Sequence, residues 1–178
     1  MDTSMKTGKG EITLRPARDT DAPAFRDLRL EALKKHPDSF TSDYAMNFAF
    51  PSTFWEQRLH DIDQSGAVFF ADHEGELVGM CGIHRDASPK LQHTAKIWGV
   101  YVKEEWRGLQ ITEGLISRCT GWALEKGVKI IKLAVVTSST RAIKTYTRCG
   151  FTTYGVEPMA LCIDGTMFDQ MLMSLRVE

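Results

Sequence analysis

Apolar and polar residues alternate over Glu11-Ile-Thr-Leu-Arg-Pro16, the pattern of a half-buried strand that Pro16 stops. The period then changes. Ala24, Phe25, Leu28, Ala32 and Leu33 recur at helical spacing, from an opening at Asp19 or Thr20 to the basic Lys34-Lys35-His36, and Pro37 ends the run. The stretch 38–51 shows no period. Ser52 stands where an N-cap belongs, ahead of Phe54, Trp55 and Leu59, which predicts a second helix to about Asp63; the two stretches together read as a lid. Gly66 introduces an apolar run over 67–71, and the polar connection 72–76 hands the chain to 77–84, an antiparallel hairpin whose meander continues with a strand over 94–102. Ile111, Leu115, Cys119 and Trp122 mark one face of a long helix from Leu109 to Lys126, with Gly127 as its C′ residue. A buried strand over 129–136, a short helix from about Ser139 to Arg148 closed at Gly150, and strands near 152–157 and 166–174 complete the chain. The order β-α-α-β-β-β-α-β-α-β-β predicts a mixed α/β fold with helices on both faces of one sheet.

The length of 178 residues fits one domain, taken as 11–178 after a mobile polar tail over 1–10. With 43% apolar residues, disorder is excluded as the main state. The balance of 22 Lys+Arg against 23 Asp+Glu lacks the basic excess expected of a nucleic-acid binder. The apolar runs are too short for a membrane span, and the first ten residues lack the apolar core of a leader, so a cytoplasmic protein is expected. Cys81, Cys119, Cys149 and Cys162 fall at neither CxxC nor metal-knuckle spacing and read as reduced thiols. The five histidines show no helical metal pair with a third ligand, so no metal is expected.

The chemistry concentrates in Val100-Tyr-Val-Lys-Glu-Glu-Trp-Arg-Gly-Leu-Gln-Ile-Thr112: a strand, a turn, and Arg107-Gly108 entering a helix. The first turn of a helix carries unpaired backbone N–H groups and a positive dipole end, so it can hold a pyrophosphate, with Arg107 adding charge and Gly108 permitting close approach. Neither GxxxxGK[ST] nor GxGxxG is present. Val100 and Val102, Arg107-Gly108, and downstream Ala142, Tyr146 and Gly150-Phe151 follow in the order and at the distance of the motifs V-x-V, R-G-x-G-x-G/A, and N-x-x-A-x-x-x-Y with G-F. In these residues, and in element order along nearly all of 11–175, the chain resembles the GNAT family of N-acetyltransferases.

The resemblance implies acetyl-CoA as co-substrate. The strand end Val100-Tyr101-Val102 would splay from its parallel neighbour over 133–136 and pair with the pantetheine arm. The turn Arg107, Gly108, Leu109, Gln110, Ile111, Thr112 would take the pyrophosphate, and Ser139 would stand where the family often has Asn beside the pantetheine. Tyr146 would protonate or hydrogen-bond the leaving thiolate. An amine of a small molecule, or of a peptide or protein, would attack directly in a ternary complex; a non-catalytic acyl-CoA-binding domain is the alternative. Gln110, Thr112 and Ser139 depart from the family pattern, and Glu113 would repel a pyrophosphate unless it points away. The general base stays open among His84, Asp86, His93, Glu104, Glu105 and water. Cys149 reads as buried against the sheet. Trp98 and Tyr101, three positions apart, are expected on opposite faces of their strand, and the aromatic region 39–59 is where the acceptor is expected. Exposed edge strands suit a homodimer.

Overall fold

The computed structural model describes residues 2–60 and 65–177. The strands are β1 Thr3–Thr7, β2 Gly10–Pro16, β3 Gly66–His73, β4 Glu76–Arg85, β5 Thr94–Val102, β6 Ile130–Val136, β7 Thr152–Ile163 and β8 Thr166–Arg176. The helices are α1 Ala22–Lys35, α2 Tyr44–Ala49, α3 Ser52–His60, α4 Ile111–Glu125 and α5 Thr140–Arg148. The strands form a single sheet in the order β1-β2-β3-β4-β5-β6-β8-β7, antiparallel throughout except for the parallel pair β5–β6.

Both faces of the sheet are covered, which explains the unbroken apolar run of β3. Val68 and Phe70 pack with Phe25, Leu28, Trp55 and Leu59 of α1 and α3. Ala67, Phe69 and Ala71 pack with Leu115, Ile116 and Cys119 of α4. Cys81 of β4 and Cys119 of α4 bring their Sγ atoms to 3.4 Å as free thiols, a pairing that spacing along the chain could not announce. The β2 end of the sheet is fixed by a buried ion cluster. Arg15 donates to both oxygens of Asp21 at 2.7 and 2.9 Å and to Asp72 Oδ2 at 2.8 Å.

Four features differ from the sequence reading. Residues 3–7, assigned to a mobile tail, form β1 in an antiparallel hairpin with β2. The loose stretch contains α2, whose N-cap Asp43 accepts the Met46 amide at 2.9 Å. β7 runs on to Ile163, with its register interrupted between Glu157 and Leu161. Trp98 and Tyr101 lie on the same face, both against the α1/α3 cluster. The cause is a bulge: Gly82 pairs with Trp98 and Met80 with Tyr101, so Gly99 and Val100 together oppose Cys81 and the alternation is reset. Gly99 makes this possible at φ +65°, a conformation side chains rarely adopt. The predicted continuation of the second helix to Asp63 lies outside the described residues.

Candidate active site

The bulge pulls β5 away from β6. Their parallel pairing stops at Lys96↔Lys132, while β5 stays paired with β4 to Val102↔Gly79 and β6 with β8 to Val136↔Gln170. The two strand ends therefore face each other with free backbone edges. A cavity of about 640 Å³, bounded by β5, β6 and the N-terminal ends of α4 and α5, opens on this gap. A second, of about 840 Å³, is bounded by α1, α3, β5, β6 and the terminal hairpin. They share Ser39, Phe40 and Ala134, so they meet at the gap.

On the wall of the first cavity stand Val100, Tyr101 and Val102 of β5, Arg107, Gly108, Gln110, Ile111 and Thr112 of the turn, Ser139, and Tyr146. Leu109 is the one expected residue not on the wall; its side chain packs against the core. Gln110 is the N-cap of α4, and its carbonyl accepts the Gly114 amide at 3.0 Å as the first helical bond. The amides of Ile111, Thr112 and Glu113 precede that bond and have no helical partner, and the Gln110 side chain caps none of them. A Cβ placed on Gly108 would meet nothing closer than Arg141 Nη2, at 3.8 Å, so the turn is open to a ligand. This donor set fits a pyrophosphate.

Three cations missing from the sequence reading line the same cavity: Arg141, Lys144 and Arg148 of α5. Their spacing of three and four along one helix face was the available signal. Arg148 holds Glu113 Oε1 at 2.7 Å, which removes the expected repulsion. Arg107 is only partly available: Nε donates to the Val102 carbonyl at 3.0 Å and Nη2 lies 2.8 Å from His36 Nε2.

Tyr146 projects from α5 into this cavity and is buried. Its position is fixed by the helix end. Gly150, at φ +91°, returns its amide to Thr147 O, and the Phe151 amide binds the Tyr146 carbonyl at 3.0 Å, while the Phe151 ring meets Tyr146 edge-on at 6.2 Å. This is the physical content of the Gly-Phe pair. Burial, then the neighbouring Cys81 and Cys149, push the Tyr146 phenol above its ordinary range, so it stays protonated at neutral pH. Burial likewise raises the half-buried Cys149 to about 11, so it carries almost no thiolate. The Tyr101 side chain is turned to α1, where its hydroxyl donates to Glu31 Oε1 at 2.9 Å.

Of the candidate bases, His84 alone lines either of these two cavities, the second one. Partial burial, then the charges of Lys96 and Arg58, hold it below the ordinary imidazole range despite Asp86. Glu157, not considered from sequence, lines the same cavity. Asp86 caps the Ser88 amide at 2.8 Å, Glu104 faces His36 and Arg107, the Glu105 carbonyl receives Lys9, and His93 accepts the Lys129 amide through its carbonyl. Among the described residues no three potential metal ligands cluster, and no helix is long and apolar enough to cross a membrane.

Residues 27–151 match the model of the acetyltransferase (GNAT) family, and the chain belongs to that family. A mycothiol acetyltransferase from Sanguibacter keddieii is 28% identical over 152 residues, 82% of this chain and 45% of that protein. A streptothricin acetyltransferase from Escherichia coli is 29% identical over 97 residues, covering 54% of this chain and 53% of that one. The chain thus spans about half the length of these relatives. A GNAT-family acetyltransferase from Streptococcus pneumoniae superposes with a TM-score of 0.84 at 19% identity, covering 94% of this chain and 99% of its own. yncA from Salmonella typhimurium, a putative acetyltransferase solved with acetyl-CoA, superposes with a TM-score of 0.77 at 19% identity, covering 94% of each.

Proposed function

We propose that this protein is an acetyl-CoA-dependent N-acetyltransferase acting on a primary amine of a small molecule by direct attack in a ternary complex. The observation that carries the reading is the gap between β5 and β6. It offers free backbone edges, an uncapped helix N-terminus at one end and a protonated Tyr146 phenol beside it. Bound acetyl-CoA supplies a thioester carbonyl activated toward amines. The amides of Ile111, Thr112 and Glu113, with Arg141 and Lys144, hold its pyrophosphate. The free edge of Val100–102 aligns the pantetheine arm, and a main-chain N–H there receives the negative charge that develops on the carbonyl oxygen. Tyr146 gives its proton to the departing thiolate, and His84 or Glu157, from the second cavity, takes the proton of the amine. No protein nucleophile is used, in keeping with the high Cys149 pKa.

The four free thiols suit a reducing, cytoplasmic setting. Exposed Tyr154, Val156, Met159 and Met167 on the terminal hairpin give a homodimer an apolar surface. Mixing the protein with acetyl-CoA and a panel of amines, and following free thiol, tests the activity. Release with at least one amine is expected. Calorimetric binding of acetyl-CoA without release would favour a binding module, and no binding would defeat both readings.

A further inference from the structure

Resting on that reading, we infer that the second cavity takes an amine that also carries a carboxylate, with Arg29 as the anchoring donor and Arg58 as a supporting cation. Arg29 sits in the apolar stripe of α1 and is only 6% exposed, yet its Nη1 is buried without a hydrogen-bond partner. The rest of the guanidinium has partners. Nη2 donates to Ser42 Oγ at 3.1 Å, and the guanidinium lies 4.7 Å from the Phe40 ring centre. Arg58 of α3 stacks on Trp98 at 4.5 Å in the same cavity. Trp98 itself occupies the space over Gly82, where any Cβ would collide with the indole.

No carboxylate among the described residues forms an ion pair with Arg29 or Arg58. The charged wall is otherwise Lys96, Lys132 and a neutral-leaning His84 against the single carboxylate Glu157. Burial, then the charge of Arg58, lowers Arg29 to about 10, the mark of a cation lacking its counter-ion. A buried, half-satisfied guanidinium is costly to the fold, and a carboxylate accepting from Nη1 would supply the missing partner.

Position narrows the ligand further. A Cβ built on Gly99 would lie 3.4 Å from Nη1, so this donor rests against the bulge, one residue before Val100 at the free edge. A carboxylate held there leaves room for only a short link to an amine at the gap, which favours an α-amino acid or a close homologue over a long polyamine. Phe40, Trp98 and Leu172 give its side chain an apolar wall.

The test compares L-amino acids of apolar side chain with their carboxamides as acceptors, followed by thiol release, and titrates the same acids calorimetrically into the protein saturated with CoA. The wild type is expected to favour acid over amide by on the order of 10²-fold in kcat/KM, although the amide amine is the less basic and the more often neutral. Arg29→Met is expected to bring that ratio close to one and to abolish the binding heat. If Arg29→Met does not fold, Arg58→Gln, at a more exposed position, lowers the ratio about tenfold. Amides used as well as acids, or an unchanged ratio in the variants, overturns the carboxylate site and leaves the acetyltransferase standing. Acid binding lost in Arg29→Met, with no release from any amine, defeats the activity and keeps the site. Failure of every acid to bind overturns the site.

Discussion

Arg148 Nη2 holds Glu113 Oε1 at 2.7 Å on the wall of the first cavity, joining the first turn of α4 to the last of α5. The contact turns a carboxylate that would oppose a bound pyrophosphate into half of an ion pair. Arg148→Ala should therefore weaken acetyl-CoA binding by about fivefold at low salt, the effect of ~1 kcal/mol between unit charges a few ångströms apart in water. Adding Glu113→Gln should restore affinity, and raised salt should shrink the difference. Calorimetry on the two variants checks both.

Gln110 occupies a left-handed backbone conformation at φ +62° where the family motif carries glycine. Such strain in a non-glycine residue costs about 1–3 kcal/mol, offset by the ~1 kcal/mol of extra freedom a glycine has when unfolded. Gln110→Gly should leave Tm unchanged or slightly higher and tighten acetyl-CoA binding by about fivefold, the worth of one further amide contact at ~1 kcal/mol. Thermal melts and calorimetry read the two effects separately.

In the proposed reaction the buried Tyr146 phenol serves the proton path and does not hold the co-substrate. Tyr146→Phe keeps the ring against Phe151 and should lower kcat about 10²-fold with little change in the Kd for acetyl-CoA. Equal turnover in the variant would remove Tyr146 from the mechanism.

Asp21 links acid stability to the Arg15 cluster. Burial alone would raise its carboxyl, but the hydrogen bonds from Arg15 and the Arg18 amide hold it below the usual carboxylate range. Its folded pKa thus lies below the unfolded value of ~3.9, so its contribution is complete above that pH and is lost as pH falls through the folded pKa. Asp21→Asn should cost about 3 kcal/mol at pH 7, roughly 6–12 °C in Tm, and the gap to wild type should close only below about pH 4.

Much of this was legible in the sequence where local and global signals agreed. The period of 111–122, with Gly127 following, located α4, and the paired motifs located the turn and Tyr146. What failed did so for tertiary reasons. Met5 is the single apolar residue of 3–7, so β1 exists by its pairing with β2 and not by any pattern of its own. Gly99, alone inside an apolar strand, is the one local sign of a bulge, and simple alternation, which takes no account of it, puts Trp98 and Tyr101 on opposite faces. Arg29 did leave a trace: it stands among Phe25, Leu28, Ala32 and Leu33, a charge inside an apolar stripe. Its approach to Gly99 and Arg58 depends on how α1 and α3 lie across the sheet.

The proposed reaction depends on the gap between β5 and β6, and a crystal structure with acetyl-CoA bound measures it most directly. The expected result places the pantetheine arm between 100–102 and 134–136, the pyrophosphate on the amides at the start of α4, and the thioester sulfur beside the Tyr146 hydroxyl. A co-substrate lying outside that gap, or one whose thioester is remote from Tyr146, would contradict it.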